Sequence, residues 1–142
     1  MQFQPKMTVS EVNEFVGEVF PQSKKYGWIA EEVRPGFIRV GMKITEHDLR
    51  PGGTISGPTM FTLADVTAYL LILSHIGKVA LAVTTNLNIN FLNKPVMGDL
   101  VAEGQLLKLG KRLAVCDVKI LSKVDQTLVA HATATYSIPP VK

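Results

Sequence analysis

The longest apolar stretch of the chain lies between Gly57 and Gly77, reading GPTMFTLADVTAYLLILSHIG, and Asp65 is its only Lys, Arg, Asp or Glu. Apolar residues fall on nearly every side of such a helix, and a helix apolar all round is a buried one. Helical spacing sets Phe61, Asp65, Ala68 and Ile72 on one stripe, so the lone acid is expected to project from an apolar face. Pro58 suits a first helical turn and Gly77 a C-terminal stop.

The rest of the chain switches between two periods. Residues 8–20 open with Thr8 and Glu11 in capping-box spacing, followed by Val12, Phe15, Val16 and Val19 on a helical face, and Pro21 ends the pattern. Residues 26–34 and 37–44 read as a hairpin about Pro35-Gly36, the second run alternating Ile38, Val40, Met42 and Ile44 with Arg39, Gly41 and Lys43. A loop over 45–56 enters the apolar helix. Four strand-like runs follow, over 79–91, 100–109, 113–122 and 127–138. The first sets Leu87, Ile89 and Phe91 against Asn86, Asn88 and Asn90, and the last alternates Ala130, Ala132 and Ala134 with bulkier residues before Pro139-Pro140. This order predicts an α+β fold, one domain over residues 1–142, with an antiparallel sheet wrapped around a long central helix.

Composition narrows the function. A chain of 142 residues with 46% hydrophobic content supports one sizeable core. Its net charge of +3 is spread without a basic run, so no nucleic acid partner is expected. The single cysteine, Cys116, excludes an intrachain disulfide and reads as a small buried hydrophobe in a reducing compartment. The N-terminus has no signal-type apolar run, and the run Met60–Leu73 is too short and too interrupted to span a bilayer, so a cytoplasmic protein without a membrane partner is expected. His47, His75, His131 and Cys116 show no metal-ligand spacing, and neither a phosphate-binding loop nor G-x-S-x-G is present.

The candidate chemistry is therefore the start of the central helix. Gly57 offers a backbone amide at the positive end of the helix, and Asp65 sets a carboxylate two turns further on. An amide donor for a developing oxyanion and a carboxylate for attack or proton transfer are the parts that acyl transfer requires. A structural acid satisfied by a backbone amide or a cation is the alternative reading of Asp65.

On Ser56-Gly57-Pro58 with Asp65 eight residues after Gly57, on Thr84-Thr85-Asn86-Leu87-Asn88-Ile89-Asn90-Phe91 with Lys94-Pro95 and Gly98-Asp99 behind it, and on Gly110-Lys111-Arg112, the chain resembles the hot dog fold and within it the PaaI-like thioesterases. The resemblance covers about residues 8–138. Ser56 stands where that family has histidine, Pro58 where it has a second glycine, and Arg50 where many members carry asparagine or glutamine.

The resemblance implies hydrolysis of an acyl-coenzyme A thioester, with coenzyme A part of the substrate and no separate cofactor or metal. It implies Asp65 as catalytic carboxylate, the Gly57 amide as oxyanion donor from the other protomer of a dimer, and Thr84 as a helper hydroxyl. Arg50 or Ser56 is implied to bind the thioester or pantetheine arm, the alternatives being a solvated loop charge for Arg50 and a helix cap for Ser56. Lys111 and Arg112 are implied to lie near the nucleotide end of coenzyme A, the alternative being a solvated turn. A pocket lined by Met60, Phe61 and Tyr69 is expected to take a medium-chain or aryl acyl group. A homodimer or a dimer of dimers (a homotetramer) is expected, with two sheets joined edge to edge. Two other functions stay open: a non-catalytic acyl-thioester binding protein, favoured if Arg50 neutralises Asp65, and a hydroxyacyl-thioester dehydratase or hydratase. Arg50 is expected not to pair with Asp65, because Asp65 should face the partner protomer.

Overall fold

The computed structural model describes residues 3–78 and 81–140. Helix α1 spans Val9–Val19, and its Thr8–Glu11 capping box is formed. The chain then makes one extra turn that the alternation hides, helix α2 over Ser23–Tyr26, closed by Gly27 in the left-handed region. Tyr26 thus belongs to a helix, and the first strand starts two residues later than the pattern predicts.

Strands β1 (Trp28–Arg34) and β2 (Phe37–Met42) form the expected hairpin. The loop before the central helix is more ordered than its composition implies. It holds a single 3-10 turn at Glu46–Asp48 and a small ribbon, β3 (Leu49–Arg50) with β4 (Thr54–Ile55), bent around Pro51-Gly52-Gly53. Helix α3 runs from Gly57 to Ile76, and strands β5 (Val83–Phe91), β6 (Leu100–Leu109), β7 (Leu113–Ser122) and β8 (Leu128–Ser137) complete the fold. Residues 79 and 80, the expected start of β5, lie outside the described residues.

Six strands form one antiparallel sheet in the order β1-β2-β6-β7-β8-β5, curled around α3. This is the α+β architecture of the hot dog fold. Leu63, Leu70, Leu71, Ile72 and Leu73 of α3 are almost wholly buried and share one core with Ile38, Val40, Leu100, Val118 and Ile120. Each of these side groups contributes about 1.5–3 kcal/mol of transfer free energy.

Small residues let the helix lie close to the sheet. Ala130, Ala132 and Ala134 of β8 are buried, and a Cβ on Gly104 of β6 would stand 3.2–3.3 Å from atoms of Leu71, Ile38 and Thr67. The helix is long and apolar enough to cross a membrane by length and composition, contrary to the expectation from the shorter Met60–Leu73 run, but 72% of its apolar window is buried inside the domain. Its composition is that of a core helix.

The two sheet edges differ. At β1, the Asn13 side chain of α1 bonds both the N–H and the C=O of Ala30, at 2.8 and 3.0 Å, and blunts that edge. At β5, Val83 and Phe91 are exposed. Among the described residues no hydrogen bond from another element reaches its free edge.

Candidate active site

The first turn of α3 is built by the preceding loop. Asp48, buried, accepts the Thr45 N–H on one carboxylate oxygen and the Thr59 hydroxyl on the other, while its C=O accepts the Ser56 N–H at 2.7 Å. The Ser56 hydroxyl oxygen accepts the Thr59 N–H at 3.2 Å, so Ser56 is the helix cap. Met60 donates to the Ser56 C=O, and Pro58 has no N–H to give. Among the described residues this leaves Gly57 as the one N–H of the first four that has no acceptor, at the positive end of the helix.

Asp65 sits two turns on, half buried. It lies at the margin of a stripe exposed through Pro58 and Phe61, whereas Ala68 and Ile72 turn fully inward. The apolar face expected for it is thus the edge of an open one. Its Oδ1 accepts two hydroxyls, Thr84 at 2.7 Å and Tyr136 at 2.6 Å, and the Tyr136 phenol also approaches the backbone carbonyl oxygen of Asp65 at 3.0 Å. Among the described residues Oδ2 has no partner.

A break in the strand period puts Thr84 there. With Asn86, Asn88 and Asn90 on the outer face, strict alternation would turn Thr84 outward as well. The β5–β8 register shifts between Thr84 and Asn86, so Thr84 stands opposite Tyr136 on the inner side. One extra residue re-aims the side chain, as β-bulges do.

A cavity of about 400 Å³ opens beside Asp65, walled by Phe20, Val66, Tyr69, Ala82, Val83, Thr84 and Tyr136. Three aromatic rings form one side of it, Phe20 edge-on to Tyr69 at 5.4 Å and Tyr69 tilted against Tyr136 at 6.3 Å. Burial pushes both tyrosine phenols above their ordinary range, and at Tyr136 the Asp65 charge adds to the shift. Both stay protonated near neutral pH. Burial also pushes the Cys116 thiol up to about 12, which leaves it inert as a nucleophile.

Gly57 opens elsewhere. It lines a cavity of about 370 Å³ together with Arg50, Ile55, Met60, Phe91 and Lys94, and a neighbouring one of about 420 Å³ with Pro58, Phe61, Ile89 and Phe91. Asp65 lines neither. Along α3 the two groups are about 12 Å apart at 1.5 Å per residue. The expected pocket of Met60, Phe61 and Tyr69 is accordingly divided within one chain, Met60 and Phe61 going with Gly57 and Tyr69 with Asp65.

Arg50 makes no ion pair with Asp65 among the described residues. Lys111 and Arg112, both exposed, occupy the turn between β6 and β7. Leu113 and Val83 both stand opposite Ser137, which sets that turn at the Asp65 end of the sheet. His131 lies 3.2 Å from Asp117, and His75 is buried against Gly36. Among the described residues no group of three or more His, Cys, Asp and Glu side chains is placed to hold a metal ion. Tyr136 is the site residue that sequence reasoning missed. The alternating Ala130-Ala132-Ala134 pattern continues onto it and marks it as inward-facing, but nothing local says that its hydroxyl meets an acid 71 positions earlier.

The family profile of the thioesterase superfamily matches residues 52–129, the stretch that holds Gly57, Asp65 and Thr84. Human acyl-coenzyme A thioesterase 13 is 30% identical over 103 residues, covering 71% of this chain and 72% of its own. A crystal structure from Silicibacter sp. described as a thioesterase is 43% identical, covers 97% of this chain and 96% of its own, and superposes with a TM-score of 0.89. The PaaI protein of the E. coli phenylacetic acid degradation operon, 23% identical over 94% of this chain and 96% of its own, shares the fold with a TM-score of 0.78.

Proposed function

The chain belongs to the thioesterase superfamily and is a thioester hydrolase of the hot dog fold, and on that footing we propose that it hydrolyses acyl-coenzyme A thioesters with Asp65 as the catalytic carboxylate. The observation that carries this reading is the half-satisfied carboxylate. Asp65 is fixed through Oδ1, its Oδ2 has no partner among the described residues, and the side chain lines a largely apolar cavity.

In the water route, Oδ2 takes a proton as water adds to the thioester carbon. The carbonyl oxygen becomes an oxyanion, held by the Gly57 N–H at the helix start. Collapse expels coenzyme A as a thiolate, which takes the proton back from Asp65 and leaves the free acid. Direct attack by Oδ2 on the same carbon needs the same free oxygen. Thr84 holds the carboxylate in either route.

One protomer offers the two halves in separate cavities, so the working site is composed by two copies of the chain. The β5 edge supports this reading: among the described residues nothing blunts it, and Phe91 on it and Phe61 near it are 52% and 41% exposed. A two-fold pairing of β5 edges sets the Phe91 end of one strand against the Thr84 end of the other, and with them Gly57 against Asp65. We take the assembly to be a homodimer, alone or as half of a tetramer. The three-ring wall favours a medium-chain or aryl acyl group in the Asp65 cavity. Arg50 and Lys94 reach the same composite site from the Gly57 side, and Lys111 and Arg112 from the Asp65 side.

The test is hydrolysis of acetyl, octanoyl, benzoyl and phenylacetyl coenzyme A by wild type and Asp65→Asn. We expect turnover favouring the larger acyl groups, with a loss of at least about 100-fold in the variant. No turnover of any ester, with the esters still binding by calorimetry, would favour an acyl-thioester binding protein instead.

A further inference from the structure

We propose that Tyr136 is the positioning residue of Asp65: with Thr84 it fills Oδ1 and so assigns the reaction to Oδ2. The inference rests on the reading of Asp65 as the catalytic carboxylate and adds which oxygen works and what aims it.

A carboxylate oxygen has two lone-pair directions in its plane. Two hydroxyls, at 2.6 and 2.7 Å, match that capacity on Oδ1, at the short distances of charge-assisted bonds. The Tyr136 phenol has one proton, and it lies between the carboxylate and the backbone carbonyl oxygen of the same residue. It therefore fixes the side chain relative to the helix as well as relative to the sheet. Thr84 comes from the exposed edge strand, whereas Tyr136 is 2% exposed and comes from the neighbouring inner strand β8. The inner donor is the stiffer of the two.

Burial makes Tyr136 dependable in this role. A phenol kept protonated by its surroundings remains a donor through neutral pH, and it does not compete with Asp65 for the proton of the attacking water. Its ring also forms part of the cavity wall with Tyr69. The acyl group and the catalytic carboxylate are thus referenced to one residue, and a fault in its placement reaches the reacting atoms directly. A misplacement of about 1 Å costs on the order of 100-fold in rate.

Tyr136→Phe, Thr84→Val and the double variant test this, with kcat, KM and thermal midpoint measured on whichever ester wild type hydrolyses best. Each removes one hydroxyl at nearly constant shape. We expect Tyr136→Phe to lower kcat about 10- to 100-fold with KM within about twofold, Thr84→Val to lower it less, and the double variant to lose more than either single, since the donor left in each single holds Oδ1 only in part. Wild-type kcat in a folded Tyr136→Phe would overturn the proposal, and so would a loss seen only in KM or thermal midpoint. Should Tyr136→Phe fail to fold, a crystal structure of the wild-type protein decides: a Tyr136 hydroxyl beyond 3.5 Å from both Asp65 carboxylate oxygens overturns the assignment. Asp65→Asn run alongside separates the two claims. Full activity there removes the premise, whereas an inactive Asp65→Asn beside a fully active Tyr136→Phe removes only the positioning role.

Discussion

The Nε2 of His75 accepts the Gly36 N–H at 2.9 Å, which ties the last turn of α3 to the turn between β1 and β2. The other ring nitrogen lies 2.9 Å from the Leu71 C=O and is the one that carries the proton. Burial pushes this imidazole below its ordinary value of 6.5, opposed in part by the Leu71 bond. A protonated ring would turn a second N–H on the Gly36 N–H. As pH falls, the unfolded chain takes up the proton before the folded one does, so stability declines from about pH 6.5 downward and this contribution is level above it. Urea unfolding should show wild type losing more stability between pH 7.5 and 5.5 than His75→Gln, although the variant starts about 1–2 kcal/mol lower for its lost buried bond. Equal losses in the two proteins would remove His75 from the pH response.

Gly104 marks the closest approach of the sheet to the central helix. A methyl group there would push on Leu71, Ile38 and Thr67 at once, all packed in the core. Gly104→Ala should cost about 1–3 kcal/mol, read as a lower denaturation midpoint. An unchanged midpoint would mean that the helix moves away from the sheet at little cost.

The Lys111–Arg112 turn stands at the Asp65 end of the sheet, where its two cations would meet the phosphates of a bound coenzyme A. Replacing both residues by alanine should raise KM for an acyl-coenzyme A about 3- to 10-fold at low salt, leave kcat within about twofold, and lose its effect as salt rises. The same acyl group on pantetheine, which has no phosphates, should show no change. Equal effects on both substrates would assign the turn to stability and not to the nucleotide.

Much of this could be read along the chain, because the relevant signals are local. The capping box at Thr8, the all-round apolarity of α3 and the Asn86–Asn90 alternation each report on residues within two turns or a few strand positions. What periodicity alone does not give depends on register. Alternation alone puts Thr84 on the wrong face, and only the pairing of β5 with β8 shows the extra residue that turns it inward. Tyr136 meets Asp65 across 71 residues of sequence, a contact without any local trace. The loop ribbon at Leu49–Ile55 hid behind two glycines and a proline, which signal a turn but not the short strands on either side of it.

A working site that takes Asp65 from one copy of the protein and the Gly57 amide from another can be rebuilt by mixing subunits. Gly57→Pro deletes the amide N–H while suiting a first helical turn, and Ser56, at φ −73° and ψ 152°, already has the extended backbone that a following proline requires. Asp65→Asn and Gly57→Pro should each be inactive alone. Unfolded together and refolded as a mixture, they should regain about a quarter of wild-type activity, because half of a randomly reassorted dimer population is mixed and each mixed dimer rebuilds one of its two sites. No recovery, with mixed dimers shown to form by mass spectrometry, would contradict a shared site.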